Sequence, residues 1–508
     1  MRRRMRLSLG ILATAISAAA FYASTGLGTF WPLAYVAPLP VLIMSSERSW
    51  PVTALIAFTA FFLGSLNTPY GLPGWVLFGF PPAVAFAVAT LAFRVAARRG
   101  RMPTWLASFV FPAVLTAYEF LFALISPNGT LWSLAYSQAD FLPLLQLVSL
   151  TGLWGVVFVL SLVPSAAALA WQRRSVSLFV PALAITLAVI GYGGVRLRDA
   201  SGSGGVRVGL AATDRGLPDA AITTDTSIAV VTAEAYAARV AHLAAQGAEV
   251  VVLPEKMVGV TPESAGPVMD VLGESARAAG VSVIAGFSRN AVQPRRNVAL
   301  VFPSDGGPTV EYEKRHPVPF IERDYASGNT RTFFAGPGGL WGVAICKDLD
   351  FPDWLRGYGQ RDVRFLAVPA WDFVDDARLH SRMAVVRGVE NGFTIARSAQ
   401  GGFVTVSDSY GRIVDERSSA TDPVIVVAAP PGTGRTFYAR FGDWFGWMNV
   451  LMVCALMIGA IARTGRPGAP PNSALEPVGA GGIASAAAQR ESLDRSEPPV
   501  GVVRSNHT

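Results

Sequence analysis

Apolar residues dominate the first two hundred positions of this chain, in runs too long for strands. Seven such segments lie near 7–25, 29–46, 51–68, 74–95, 104–125, 147–171 and 177–195, and an eighth lies near 444–462. Most approach the ~20 residues that a helix needs to cross a hydrocarbon core of about 30 Å. The second is short and rich in proline. Beyond residue 200 the period changes. Short β-branched runs such as "VRVGLAA", "AEVVVLPE", "VSVIAGFS", "NVALVFP", "WGVAICKD", "VRFLAVPA" and "FTIARSAQ" alternate with helical stretches, "AEAYAARVAHLAAQG" among them. Strands at this spacing, with helices between several of them, predict an α/β domain with both sheet faces largely covered. The stretch 465–508 is rich in Gly, Ala, Pro and Ser without periodicity, and disorder is expected there.

Composition supports a membrane setting. Of 508 residues, 51% are hydrophobic and only 15% charged, with a mean hydropathy of +0.40. Soluble domains carry about 25% charged residues. The net charge of +7 would in a soluble protein point to nucleic acid. Here the arginines stand between apolar runs, so they read as membrane orientation and no nucleic-acid partner is expected.

With the N-terminus inside, the inside segments hold Arg2, Arg3, Arg4 and Arg6, then Arg48, then Arg98, Arg99 and Arg101, then Arg173 and Arg174, then Arg463 and Arg466. The outside loops 26–28, 69–73 and 126–146 hold no Lys or Arg. The run after "MRRRMR" has no convincing small-residue cleavage site and reads as a retained signal anchor. The expected architecture is a multi-pass α-helical membrane domain of about eight helices plus an α/β domain. Seven helices fall in 1–198, an outside α/β domain follows, the last helix spans 443–463, and 465–508 forms a cytoplasmic tail.

Two cysteines, Cys346 and Cys454, give no disulfide framework, and the four histidines are scattered, so neither metal nor cofactor is expected. No phosphate-binding glycine motif occurs. Cys454 sits inside the last apolar run and reads as a small apolar filler. Cys346 is different, because it ends the strand "GGLWGVAIC" directly before Lys347 and Asp348. In α/β sheets, active groups collect at the carboxyl ends of strands. Glu255 ends "EVVVLPE", and Lys314 follows a third strand in "VEYEKRHPVPFIERDY". A thiol needs help to ionise near neutral pH. A carboxylate can take its proton, and a fixed ammonium can stabilise both the thiolate and a later oxyanion. Taken singly, each residue has an ordinary structural reading. Together they form a set for acyl transfer through a thioester.

The ordered motifs "LPEK", "YEKRHPVPF", "ICKDLDFPDW" and "HSRMAVVRGVENGFTIARSAQGG" resemble the nitrilase (carbon–nitrogen hydrolase) superfamily over about 206–430. With its membrane segments, the chain is similar to the apolipoprotein N-acyltransferase family. The stretches "GTLWSLAYSQADFLPLLQLVSLTGLWGVVFVLS" and "TFYARFGDWFGW" extend that likeness. The resemblance implies an αββα sandwich over 206–432 on the periplasmic side of a bacterial inner membrane, with both termini cytoplasmic. It implies Glu255 as general base, Cys346 as nucleophile, and Lys314 as oxyanion stabiliser aided by the backbone N–H of Lys347.

Glu322 matches a second glutamate that positions Lys314 or a proton. Lys347 and Asp348 stand where the family usually has Tyr and Glu, and these two, with Trp444, are expected at the substrate. The implied reaction moves an acyl chain from a phospholipid donor to the amine of a diacylated lipoprotein. Two other readings stay open: a membrane-tethered nitrilase-type amidase or hydrolase, and an inactive scaffold in envelope assembly.

Overall fold

The computed structural model describes residues 2–98, 103–198, 204–215 and 217–464. The expected tail at 465–508 and the arginines Arg99 and Arg101 lie outside them.

Up to residue 198 every regular element is helical. Helices long and apolar enough to cross a membrane cover Trp50–Asn67, Gly71–Arg98, Thr104–Ile125, Leu153–Arg173 and Val176–Arg198. They pack through small residues and aromatic rings, with Phe21, Phe61, Phe86, Phe93 and Phe111 in one cluster. Two elements differ from the sequence pattern. The segment 29–46 splits into Trp31–Tyr35 and Leu39–Ser45, because Pro32, Pro38 and Pro40 remove the donors a continuous helix needs. The segment 147–171 begins its long helix only at Leu153, after Gly152 turns the chain at φ +64°. A further helix passes the same apolarity test, Thr226–Ala245, but Ala233, Tyr236 and Val240 on it belong to a buried cluster beneath a sheet.

Thirteen strands follow: β1 (Val206–Ala211), β2 (Val250–Val252), β3 (Val258–Val260), β4 (Ser282–Arg289), β5 (Arg296–Phe302), β6 (Val310–Glu313), β7 (Thr332–Gly336), β8 (Gly339–Val343), β9 (Phe365–Trp371), β10 (Thr394–Gln400), β11 (Phe403–Ser407), β12 (Ile413–Ser418) and β13 (Val424–Ala429). One sheet runs β13-β1-β2-β4-β5-β6 with β3 beside β4, and the other runs β12-β11-β10-β9-β8-β7. Within them β1, β2 and β4 are parallel, as are β8, β9 and β10.

Alternation along each strand builds two interfaces from one pleat. Val250, Val252 and Ile284 point at Trp341, Val343 and Phe365 of the facing sheet. Their neighbours Val251, Val283, Ala285 and Phe287 point the other way, onto the helices Thr226–Ala245 and Pro262–Ala279. Asp225 starts the first of these helices by accepting from the Ser227 and Ile228 amides, and Thr261 caps the second with Ser264.

The fourth layer is unusual. Helix Ala377–Asn391 has no solvated face over most of its length. Ala384 packs onto the outer face of the sheet that holds β10 and β11, while Leu379, Met383, Val386 and Val389 pack with Leu145, Val148 and Trp154 of the helical region. One helix is therefore layer to the sandwich and floor to the membrane-type bundle.

The inter-sheet core makes a direct prediction. Trp341 is fully buried and stacks on Phe365 at 4.5 Å between ring centroids. Trp341→Ala should destabilise the protein by about 3–5 kcal/mol, read as a lower thermal unfolding midpoint of the detergent-solubilised chain. An unchanged midpoint would contradict this packing.

Candidate active site

The ends of three strands bring three of the expected residues together. β2 runs into Leu253, Pro254 and Glu255, and β8 runs into Ala344, Ile345 and Cys346. The Glu255 amide donates to Ala370 O of β9 at 3.4 Å, so the ends of the two sheets meet. Gly286 of β4 allows this approach, since a Cβ there would lie 2.6 Å from the Glu255 Cα. Lys314 continues β6, its amide donating to Asn297 O at 2.9 Å.

Lys314 is buried between two carboxylates. Its Nζ donates to Glu255 Oε1 and to Glu322 Oε2, each at 2.8 Å. Asn297, on β5, donates to Glu255 Oε1 at 2.6 Å and to Glu322 Oε1 at 2.9 Å. Lys256 donates to Glu322 Oε1 at 2.6 Å, and the Val318 amide donates to Glu322 Oε2 at 2.8 Å. The remaining oxygen, Glu255 Oε2, is buried and accepts no hydrogen bond among the described residues. Glu255 thus has one oxygen fixed by the lysine and one left for a proton.

The charge states follow from this packing. Burial works against the Lys314 ammonium, but Glu255, Glu322 and the Cys346 sulfur outweigh it and hold the ammonium well above its ordinary range. Burial likewise opposes the Glu322 carboxylate, and Lys314 and Lys256 outweigh it, keeping Glu322 well below the usual carboxylate range. Burial pushes the Cys346 thiol well up, Glu255 adds to this, and Lys314 pulls the other way. These surroundings favour the Cys346 thiol over its thiolate.

Cys346 sits at φ +42°, a left-handed conformation at the end of its strand. That strained corner turns the chain directly into the short helix Cys346–Asp350. The sulfur lies 3.4 Å from Trp371 O and borders a cavity of about 250 Å³. Apolar groups from both regions line it, including Leu77, Phe78 and Leu131 from one and Val318, Phe320 and Phe373 from the other.

The remaining expected residues divide. Lys347 lines the cavity, where its Nζ donates to Asp350 Oδ2 at 2.8 Å and to Asn128 Oδ1 at 3.1 Å. Asp348 is turned inward and fully buried. It accepts from the Tyr312 hydroxyl at 2.6 Å, the Ile345 amide at 3.0 Å and the His316 amide at 2.9 Å. Asp348 therefore ties the nucleophile turn to the loop after Lys314. Trp444 is not among the cavity residues, and its Nε1 donates to Leu150 O at 2.9 Å.

Sequence reasoning had given no role to Asn297, Lys256, Asn128 or Arg387. Arg387 is fully buried, pairs with Glu390, and donates to Leu349 O at 2.8 Å and Thr130 Oγ1 at 3.1 Å. The Thr130 amide donates to Asp350 O at 2.9 Å. Gly129, at φ +51°, makes room for this contact, because a Cβ there would stand 2.4 Å from Asp350 O. The Cys346–Asp350 turn is stitched to residues 128–130 of the helical region.

Residues 216–438 match the carbon-nitrogen hydrolase family, and residues 17–166 match the apolipoprotein N-acyltransferase N-terminal domain. Apolipoprotein N-acyltransferase of Geobacter metallireducens is 26% identical, the match covering 82% of this chain and 89% of that protein. Its namesake from Gloeobacter violaceus is 24% identical over 92% of this chain and 97% of its own. Among solved structures, an amidase from Nesterenkonia sp. aligns with 45% of this chain and 92% of its own, at 19% identity and a TM-score of 0.40.

The electrostatics predict opposite effects from two substitutions. Alkylation of Cys346 by iodoacetamide, followed by peptide mass to separate it from Cys454, should be slow near neutral pH and rise as the pH rises. Glu255→Gln removes a charge that pushes the thiol up, so alkylation at neutral pH should quicken. Lys314→Met removes a charge that pulls it down, so alkylation should slow. Changes of the same sign in both variants would overturn this charge arrangement.

Proposed function

We propose that this chain, which belongs to the apolipoprotein N-acyltransferase family, moves an acyl chain from a phospholipid to the N-terminal amine of a lipid-modified lipoprotein through a thioester on Cys346. The observation that carries the reading is the Lys314 ammonium held between Glu255 and Glu322 at 2.8 Å from each, beside the sulfur.

In the first half-reaction Glu255 takes the Cys346 proton as the sulfur attacks the ester carbonyl carbon. The Lys314 ammonium and the Lys347 backbone N–H stabilise the oxyanion. The C–O bond then breaks, and Glu255 passes its proton to the departing lysophospholipid oxygen. In the second half-reaction the acceptor nitrogen attacks the thioester carbon, a C–N bond forms, and the C–S bond breaks. The sulfur keeps that electron pair and regains a proton through Glu255.

The site lies where the sandwich meets the apolar helices. Each CH₂ buried contributes roughly 0.8 kcal/mol, so drawing a long acyl chain into water would cost more than ~10 kcal/mol. A cavity with Leu77, Phe78 and Leu131 on its wall removes that cost. Arginine placement favours cytoplasmic termini and a periplasmic sandwich in a bacterial cell membrane. The apolar lining also disfavours water as the acceptor, which separates transfer from hydrolysis.

Incubation with phospholipid alone should add the mass of one acyl group to Cys346, and Cys346→Ala should show no adduct and lose turnover by more than ~10³-fold. A diacylated lipopeptide should then discharge the adduct as acylated peptide. Free fatty acid as the sole product would support hydrolysis instead, and an active preparation that forms no adduct would reject the thioester.

A further inference from the structure

The cavity that holds Cys346 carries a second titratable set, which the Glu–Lys–Cys arrangement does not use. His380, near the start of helix Ala377–Asn391, lines the same cavity as the sulfur. Its Nε2 lies 3.3 Å from Asp376 Oδ2, and the Tyr70 hydroxyl donates to that same oxygen. Asp376 is fully buried, whereas Tyr70 comes from the helical region and also lines the cavity. A buried carboxylate that fixes one nitrogen of an imidazole bordering a reaction cavity is the arrangement of a proton-transfer group.

Acyl transfer to an amine has a proton left over. An α-ammonium has a pKa of about 7.7–8.0, so it arrives largely protonated at neutral pH. It must shed one proton before its nitrogen can attack and a second as the amide forms. The thiolate leaving the thioester takes up only one of the two, through Glu255.

We propose that His380 accepts the first proton from the α-ammonium of the acceptor, positioned by Asp376 and Tyr70, so that a neutral amine reaches the thioester. This assignment rests on the acyl-transfer reading above. The protons balance. The ammonium gives one to His380, the free nitrogen pair forms the C–N bond, and the C–S pair stays on sulfur. The second nitrogen proton returns to sulfur through Glu255, and the imidazolium later releases its proton to water. The groups facing His380 are Asp376 and Tyr70 in contact, with Asp350, Lys347 and Cys346 on the cavity wall and Asp372 nearby. Burial works against a charged His380, but Asp376 outweighs it and raises the imidazole above its usual range.

The test compares two nucleophiles on the same acyl-enzyme: a diacylated lipopeptide, and methoxyamine, which is already neutral at the assay pH. In His380→Gln, discharge by the lipopeptide should slow by about 10²-fold, discharge by methoxyamine should change far less, and the gap should narrow as the pH is raised. Asp376→Asn should show the same pattern more weakly. Equal slowing with both nucleophiles, or no slowing with either, would overturn the assignment. Failure of His380→Gln to form the acyl-enzyme would overturn it too, since the role is confined to the second half-reaction. Absence of an acyl-enzyme in the unmodified protein would sink the transfer reading itself.

Discussion

A buried ammonium is the constraint on which the sandwich is organised. Removing one ion from water costs several kcal/mol even after relaxation, and an interior charge persists only when partners surround it. Lys314 is surrounded by Glu255, Glu322 and, through the latter, Lys256, with Asn297 donating to both carboxylates. Two positive and two negative groups close on themselves. On the acyl-transfer reading proposed above, their rigidity supplies a preset charge for the oxyanion that would develop beside the sulfur. Taking out a single member would leave its neighbour uncompensated, so the cluster needs β2, β5, β6 and the loop to Glu322 together.

The second organising feature is the short helix Cys346–Asp350. On one side Asp348 holds it to Tyr312 and the His316 amide. On the other, Leu349 O and Asp350 O accept from Arg387 and Thr130. Cys346 is thus set by contacts from both the sandwich and the helical region. The cavity beside it is built the same way, with no wall belonging wholly to either.

Much of this was legible in the sequence, for a topological reason. Active groups collect at the carboxyl ends of strands, so Glu255 and Cys346 stood out as candidates from their strand-terminal positions, although β2 and β8 lie in different sheets. Glu322 and the order of motifs became readable only through resemblance. Asn297 stayed hidden because a polar residue inside β5 looks like any strand residue until its partners are known. His380, Asp376 and Tyr70 were unreadable as a set, since about three hundred residues separate the tyrosine from the others. Lys347 and Asp348 were a pair of charges beside a cysteine. Only packing separates the one on the cavity wall from the one turned inward. Prolines near residue 38 and the glycine at 152 broke helices that hydropathy alone would have drawn as continuous.

Helix Ala377–Asn391 shares its side chains between two cores, one beneath a sheet and one among lipid-type helices. The sandwich consequently completes its fourth layer against the helical region and not against water. Severed from its base it would present Leu379, Met383, Val386 and Val389 to solvent as an adhesive face.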